Sequence, residues 1–170
     1  MLFRSPADLN DLAAFIRTVP PTEGLYFFGL GSNLLVRDGG LRATVVFTHW
    51  ALRDIQLVSS GEKQIEIYAE AGIASPKVAR FAAMHGAAGA EFLAGIPGTV
   101  GGALAMNAGC YGGETWDLVT QATTIDRDGQ LHQRDRGEYQ IAYRSVLGPK
   151  DEFFIGARFR LSPGDGEQSR

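Results

Sequence analysis

The sequence has few of the residues on which several common kinds of protein depend. Its single cysteine, Cys110, cannot form an internal disulfide, and its 3 histidines lack the spacing of a zinc site. No apolar run reaches the roughly 18 residues of a membrane helix, and no signal peptide is evident. With 16 basic and 19 acidic residues the net charge is −3, without a basic stripe. We therefore expect a cytoplasmic protein that binds no metal, no nucleic acid and no membrane.

Glycine, in contrast, is abundant and concentrated. Nine of the 22 glycines lie in the 28 residues from Gly86 to Gly113, among apolar and small residues rather than the polar residues of a flexible linker. Because glycine loses much backbone entropy on folding, the cluster indicates that the backbone approaches something closely. A phosphate or a flat cofactor held by backbone N–H groups has this requirement.

A second glycine cluster follows an apolar and aromatic strand that ends at Phe28. The polar loop Gly29–Asn33 lies between this segment and another apolar run, Leu34–Val36, so both flanks are expected to be buried. Such a loop can offer backbone N–H groups and the Ser32 hydroxyl to an anion. Leu34 stands where a Rossmann fingerprint requires Gly or Ala, and no Walker A motif occurs. An ordinary tight turn remains the alternative.

Hydrophobic periodicity and turn residues predict an α+β protein with mostly antiparallel strand pairs. A first helix is expected with Ser5 as its N-cap, and a second helix is expected to be capped by Ser75 and Pro76. A short helix is expected near 99–105. The predicted strands cover residues 25–30, 43–48, 52–58, 64–71, 119–125, 130–133 and 153–161. We expect a first lobe over residues 1–50, a second lobe over residues 51–161 and a disordered tail over residues 162–170.

Three motifs in this order resemble one enzyme family. They are Gly29–Val36, Gly95–Ala103 and Asn107–Gly112, and the pair Tyr143-Arg144 follows them. Together they look like the FAD-binding part of the UDP-N-acetylenolpyruvoylglucosamine reductases (MurB). The resemblance covers about residues 3–161. It implies the FAD-binding fold of the vanillyl-alcohol-oxidase/PCMH type, in which two small α+β lobes hold an extended FAD between them.

The resemblance also implies an activity and a set of site residues. It implies an FAD-dependent oxidoreductase of peptidoglycan synthesis, and hence of cell wall biogenesis, cell shape and cell division. NADPH would be the hydride donor and an enolpyruvyl UDP-sugar the substrate. Arg144 would be catalytic, holding the substrate carboxylate and stabilising an enolate-like intermediate, with Tyr143 beside it as a substrate-binding residue. The implied cofactor-binding residues are Gly29, Gly31, Ser32, Asn33, Leu34, Gly95, Ile96, Pro97, Gly98, Thr99, Val100, Gly101, Gly102, Ala103, Asn107, Gly109 and Tyr111.

The sequence departs from the family pattern in three places. The family's C-terminal domain, which binds the UDP-sugar and supplies a proton-donating serine, has no counterpart here, and neither has its opening strand. Ser145 directly follows Arg144, and Val146 takes the place of the family's serine. We therefore expect a portion that is incomplete for turnover and that self-associates through the uncovered face. The alternatives are another flavoprotein oxidoreductase of the same fold and a non-catalytic FAD-binding module.

Overall fold

The computed structural model describes residues 2–164, and for Leu2 and Phe3 the backbone alone. Its helices are α1 (Leu9–Ile16), α2 (Ser75–Met84), α3 (Val100–Met106) and α4 (Thr115–Leu118), and 3₁₀ turns span Glu91–Gly95 and Arg136–Glu138. Its strands are β1 (Leu2–Arg4), β2 (Gly24–Phe28), β3 (Ala43–Phe47), β4 (Ile55–Ser60), β5 (Ile65–Glu70), β6 (Ala87–Ala88), β7 (Gly109–Cys110), β8 (Gly113–Glu114), β9 (Val119–Asp126), β10 (Leu131–Asp135), β11 (Gln140–Ala142), β12 (Ser145–Leu147) and β13 (Glu152–Pro163).

The N-terminal part is a small parallel sheet covered by one helix. Its strand order is β1-β3-β2, and the central strand β3 carries the fully buried Val45 and Val46. Helix α1 buries Leu12 and Ile16, which lie four residues apart and therefore on one face. A central parallel strand is covered on both faces, which explains its continuous apolar sequence.

The second sheet is larger and antiparallel. Its main order is β10-β9-β13-β5-β4, and β6 pairs with the end of β13. Strand β5 alternates buried and half-buried residues, which is the period expected for a strand with one face on the core. Helix α2, helix α4 and β13 contribute Val78, Trp116 and Phe159 to the core beside this sheet.

Two helix caps differ from their predicted positions. Helix α1 is capped by Asp8 and not by Ser5, because the Asp8 carboxylate accepts the N–H of Asp11 at 2.8 Å. Ser75 is the first residue of α2, with Ala74 as the N-cap. Both helices nevertheless lie where the apolar spacing predicted them, as does the short helix α3.

Two predicted segments also differ from the structure. Leu34, Leu35 and Val36 do not form a buried run but lie in an exposed loop, with Leu35 at 94% exposure. The predicted disordered tail begins at residue 162, whereas β13 continues to Pro163 through its pairing with β6. The remainder of that tail, residues 165–170, lies outside the described residues.

The two sheets share a core. The residues that join them are Leu12, Ile16, Leu25 and Val46 from the N-terminal part, Ile125 and Ile155 from the larger sheet, and Leu52 and Ala71 from segments beside its strands. The two sheets are therefore in direct apolar contact. The boundary predicted at residue 50 stays a prediction.

Candidate functional site

A cleft with a volume of about 850 Å³ lies between the loop after β2 and the glycine-rich segment around α3. This size falls within the range of roughly 300–1,000 Å³ that is typical of small-molecule and cofactor sites. The end of β2, the segment 95–99, helix α3, the hairpin β7–β8 and the turn between β11 and β12 all contribute to its walls. The N-terminal sheet and the later part of the chain thus both contribute to one cavity.

The two glycine segments touch each other at the base of the cleft. A Cβ atom at Gly29 would lie 2.1 Å from Oγ1 of Thr99, and one at Gly98 would lie 3.3 Å from Oγ of Ser32. Thr99 is buried, so it has little room to move away. Glycine at position 29 is therefore required for the close approach of the Thr99 side chain to the backbone of the first loop.

The first glycine loop presents unused hydrogen-bond donors. In the described part of the chain, the amides of residues 30–33 donate to no protein acceptor, and the Ser32 hydroxyl has no hydrogen bond either. Gly31 has a φ of +72°, which turns the backbone there. Successive free N–H groups beside an open cavity are suited to an anion such as a phosphate.

Helix α3 contributes small residues to the wall. Gly102 lines the cleft, and a Cβ atom there would meet only Oγ1 of Thr99, at 3.9 Å. Its neighbours Val100 and Gly101 face away, because their amides donate to the carbonyls of Ile73 and Ala71 at 2.8 and 2.9 Å. The structure therefore leaves Val100 and Gly101 out of the cleft, although the sequence predicted both as cofactor-binding.

Asn107 lies at the end of α3 and is 2% exposed, with the left-handed φ of 43°. Its Nδ2 donates to Oε2 of Glu114 at 2.7 Å and to the carbonyl of Ala142 at 3.3 Å, and its Oδ1 accepts the N–H of Trp116 at 3.1 Å. Asn107 lines the cleft, but its amide protons are engaged within the protein.

Arg144 and Tyr143 form the turn between β11 and β12 at the rim of the cleft. Among the lining residues in the described ranges Arg144 is the only cation, and the carboxylates are those of Glu114 and Asp117. Tyr143 is 81% exposed, and Arg144 has a φ of +53°. A cation at a cleft rim can bind an anionic group of a ligand.

Most of the predicted site residues meet in this cleft. Tyr111 does not: it is 90% exposed at the tip of the hairpin β7–β8, and the lining excludes it. Glu114 and Asp117 were missed; the spacing Glu-Thr-Trp-Asp of a helix capping box was the available signal. The predicted residues that line the cleft are Gly29, Gly31, Ser32, Asn33, Leu34, Gly95, Ile96, Pro97, Gly98, Thr99, Gly102, Ala103, Asn107, Gly109, Tyr143 and Arg144.

Residues 2–164 contain no candidate metal site and no candidate membrane-spanning helix. No group of three or more His, Cys, Asp or Glu side chains in that range has the arrangement of a metal site. None of the helices described is long and apolar enough to cross a bilayer.

Comparison with known proteins identifies related sequences and folds. Residues 2–134 match the family described as FAD binding domain. The chain is 53% identical to a UDP-N-acetylenolpyruvoylglucosamine reductase of Thiobacillus denitrificans, over 97% of this chain and 54% of that protein. It thus spans about half the length of the relatives it matches.

Solved structures agree with this assignment. The crystal structure of the reductase MurB from Thermus caldophilus superposes with a TM-score of 0.78 at 28% identity, over 98% of this chain and 57% of that one. Cholesterol oxidase from Brevibacterium sterolicum has a TM-score of 0.66 at 16% identity, over 95% and 34% of the two chains. The second similarity concerns the fold alone. Together they confirm the predicted α+β FAD-binding fold and the resemblance to the reductase.

Proposed function

Because the chain belongs to the family of FAD-binding domains, we propose that it binds FAD in the cleft as the flavin-binding part of a UDP-N-acetylenolpyruvoylglucosamine reductase. The observation that carries the proposal is the meeting of the two glycine segments beside unpaired backbone donors. Residues 30–33 offer those donors next to a cavity of about 850 Å³. This proposal assigns the chain to an NADPH-dependent reduction in cytoplasmic peptidoglycan synthesis.

The residues of the cleft are suited to FAD in two respects. A pyrophosphate needs several N–H donors and close access to the backbone, and the loop from Leu30 to Asn33 supplies both. A flat ring system needs a wall without projecting side chains, and Gly102 leaves such a space on α3. FAD, when bound, supplies the hydride chemistry, while the protein supplies position and charge.

We propose that Arg144 binds the carboxylate of the substrate. It is the lining cation within the described range, and it stands at the rim, where a substrate enters. A guanidinium can bind a carboxylate through two parallel N–H bonds, and the same charge stabilises negative charge that develops during reduction of an enolpyruvyl group. Tyr143, exposed next to it, would contact the same substrate.

The test is anaerobic addition of NADPH to the purified chain loaded with FAD, followed by visible absorption. We expect the oxidised flavin band to bleach, because NADPH is the proposed donor of hydride to the flavin. Arg144→Gln should still bind FAD and bleach, since Arg144 is proposed to contact the substrate and not the cofactor. A flavin that binds but stays oxidised with NADPH would contradict the reductase and favour another flavoprotein oxidoreductase of this fold.

A further inference from the structure

The guanidinium of Arg144 has no partner of its own. It forms no hydrogen bond or ion pair with any other residue between 2 and 164. Its position is therefore set by the backbone of the turn between β11 and β12. Each of these strands has only three residues, and an isolated two-stranded hairpin is marginally stable in water. Contacts from outside the hairpin must hold the turn in place.

Asn107 supplies one such contact. Its Nδ2 donates to the carbonyl of Ala142, the residue immediately before Tyr143 and Arg144, at 3.3 Å. Asn107 is itself well held, since it ends α3 and its Oδ1 accepts the N–H of Trp116 at 3.1 Å. The end of α3 is thereby tied to the turn that carries Arg144.

Glu114 orients the amide of Asn107. Its Oε2 accepts the other proton of Nδ2 at 2.7 Å. Because the carboxylate and the Ala142 carbonyl only accept, while the N–H of Trp116 only donates, the amide can satisfy all three in one orientation. Glu114 is fixed in turn by the capping box of α4, in which it exchanges hydrogen bonds with Asp117. The chain of contacts runs from α4 through Glu114 and Asn107 to the turn.

We propose that Asn107 and Glu114 are positioning residues that set the place of Arg144 at the cleft. The assignment of a carboxylate to Arg144 rests on the proposed function, whereas the tie between α3 and the turn does not. Asn107 was predicted to bind the cofactor, but both of its amide protons are used within the protein. Its role in this proposal is exerted through Arg144.

The first experiment measures hydrogen exchange of the amides of residues 140–147 in Asn107→Asp. Asp has nearly the same shape and tolerates the left-handed conformation, but it sets an oxygen against the Glu114 carboxylate and the Ala142 carbonyl. We expect exchange in the hairpin to become roughly tenfold faster, since both hydrogen bonds of Nδ2 are lost, including the one to the hairpin, and repulsion between oxygens replaces them. Strands β5 and β13 should exchange as in the wild type.

Two further variants make this experiment specific. Asn10→Asp introduces the same change on the exposed surface of α1 and should leave the hairpin unchanged. Glu114→Gln leaves one side-chain oxygen to accept from Asn107 in place of two, so it should accelerate hairpin exchange less than Asn107→Asp does. This variant also tests the proposal if Asn107→Asp does not fold. Wild-type exchange of the hairpin in both Asn107→Asp and Glu114→Gln would overturn the proposal.

The second experiment reads the effect on Arg144. The probe is UDP-N-acetylglucosamine enolpyruvate, titrated into the FAD-loaded chain and followed by the flavin difference spectrum. We expect Arg144→Gln and Asn107→Asp each to weaken probe binding at least tenfold. The double variant should bind no more weakly than Arg144→Gln alone, because both changes remove the same interaction.

Additive losses in the double variant would overturn the positioning role, since they would mean that Asn107 acts independently of Arg144. A wild-type chain that takes up no FAD would contradict the proposed function instead, and one that binds FAD but shows no response to the probe would contradict the assignment of the substrate's carboxylate to Arg144. The exchange experiment needs neither ligand, so it decides whether the tie holds the turn in that case as well.

Discussion

Gly101 and Gly102 are neighbours in α3, but a side chain at each would meet different surroundings. A Cβ atom at Gly101 would lie 3.0 Å from the Cβ of Ala71, inside the packed contact with the larger sheet. One at Gly102 would point into the cleft. Gly101 is therefore needed for close packing, and Gly102 leaves space in the cleft. The repeated Gly-Gly sequence does not distinguish these two roles.

Gly102→Met is expected to block FAD binding without harming the fold. The new side chain would occupy the cleft, and replacing glycine inside a helix stabilises by up to about 1 kcal/mol. We expect the dissociation constant for FAD to rise at least tenfold, with an unfolding free energy equal to or above that of the wild type. Urea unfolding and flavin titration measure the two quantities.

The matched variant is Gly101→Ala, one residue earlier. It should lose about 1–2 kcal/mol of unfolding free energy, because its Cβ is forced against Ala71 in a packed region. Wild-type FAD affinity in Gly102→Met would show that the cofactor does not use this part of the cleft.

Among elements, the three adjacent strands β10, β9 and β13 are connected by one carboxylate. Glu152 on β13 accepts the Thr124 hydroxyl of β9 at 2.6 Å and Nε of Arg134 of β10 at 3.1 Å, and it also pairs with Nη2 of Arg134. The hydrogen bond from Arg134 holds the pKa of Glu152 below its ordinary value near 4.5. The folded state therefore favours the ionised carboxylate.

Glu152→Gln is expected to destabilise the protein by about 1.5–3 kcal/mol at neutral pH, the cost typical of losing a hydrogen bond to a charged group. Because the pKa of Glu152 is lower in the folded than in the unfolded state, its stabilisation is complete above pH 4.5 and is lost as the pH falls through the folded value. The difference between variant and wild type should thus shrink below about pH 4.5.

Urea unfolding at a series of pH values from neutral to acid measures this difference. Asp151→Asn is the control, because Asp151 is adjacent in sequence but exposed, and its pairing with Arg127 should contribute little. A difference between Glu152→Gln and wild type that stays constant down to the acid end would contradict the account.

Elements with a long local pattern were predicted from the sequence, and those that depend on distant contacts were not. The hairpin β9–β10 and the helix α2 have their own periodicity and turn residues. The hairpin β11–β12 has only three residues in each strand and is held by Asn107 and by packing on the core. No local sequence pattern therefore predicts it. Apolar composition made Leu34–Val36 resemble a buried run, although that loop lies outside the core.

At the scale of the whole molecule, the turn between β9 and β10 connects the larger sheet to α1. Nε of Arg17 donates to the carbonyl of Asp128 at 3.0 Å, and Gly129, with a φ of +71°, lies against the backbone of Ala13. Because of this contact and the shared apolar core, we expect the two sheets to unfold together. We expect urea unfolding to show one cooperative transition.

Gly129→Ala is expected to lower the unfolding free energy by about 2–4 kcal/mol, because the left-handed conformation and a clash with a carbonyl both disfavour a side chain. The added Cβ would lie 2.7 Å from the carbonyl oxygen of Ala13. Gly137→Ala, where a Cβ atom would meet nothing within 4 Å, is the control and should be nearly neutral. Two separate transitions, or an unchanged midpoint in Gly129→Ala, would contradict a single unit.

The candidate site was largely predictable because its glycine segments occur in a recognisable order. Val100, Gly101 and Tyr111 were assigned to the cofactor by their place in the motifs. The amides of Val100 and Gly101 donate to the carbonyls of Ile73 and Ala71, and Tyr111 lies at the exposed tip of a hairpin. These orientations keep all three residues out of the cleft. Such orientations depend on long-range packing, which a motif does not contain.

The central claim is that the cleft holds one FAD. Its most direct test is titration of the purified chain with FAD, followed by visible absorption, with Gly102→Met titrated in parallel. We expect a shifted and structured flavin spectrum that saturates at one FAD per chain, with binding strongly weakened in the variant. A chain that is folded by circular dichroism yet leaves the spectrum of free FAD unchanged would contradict it.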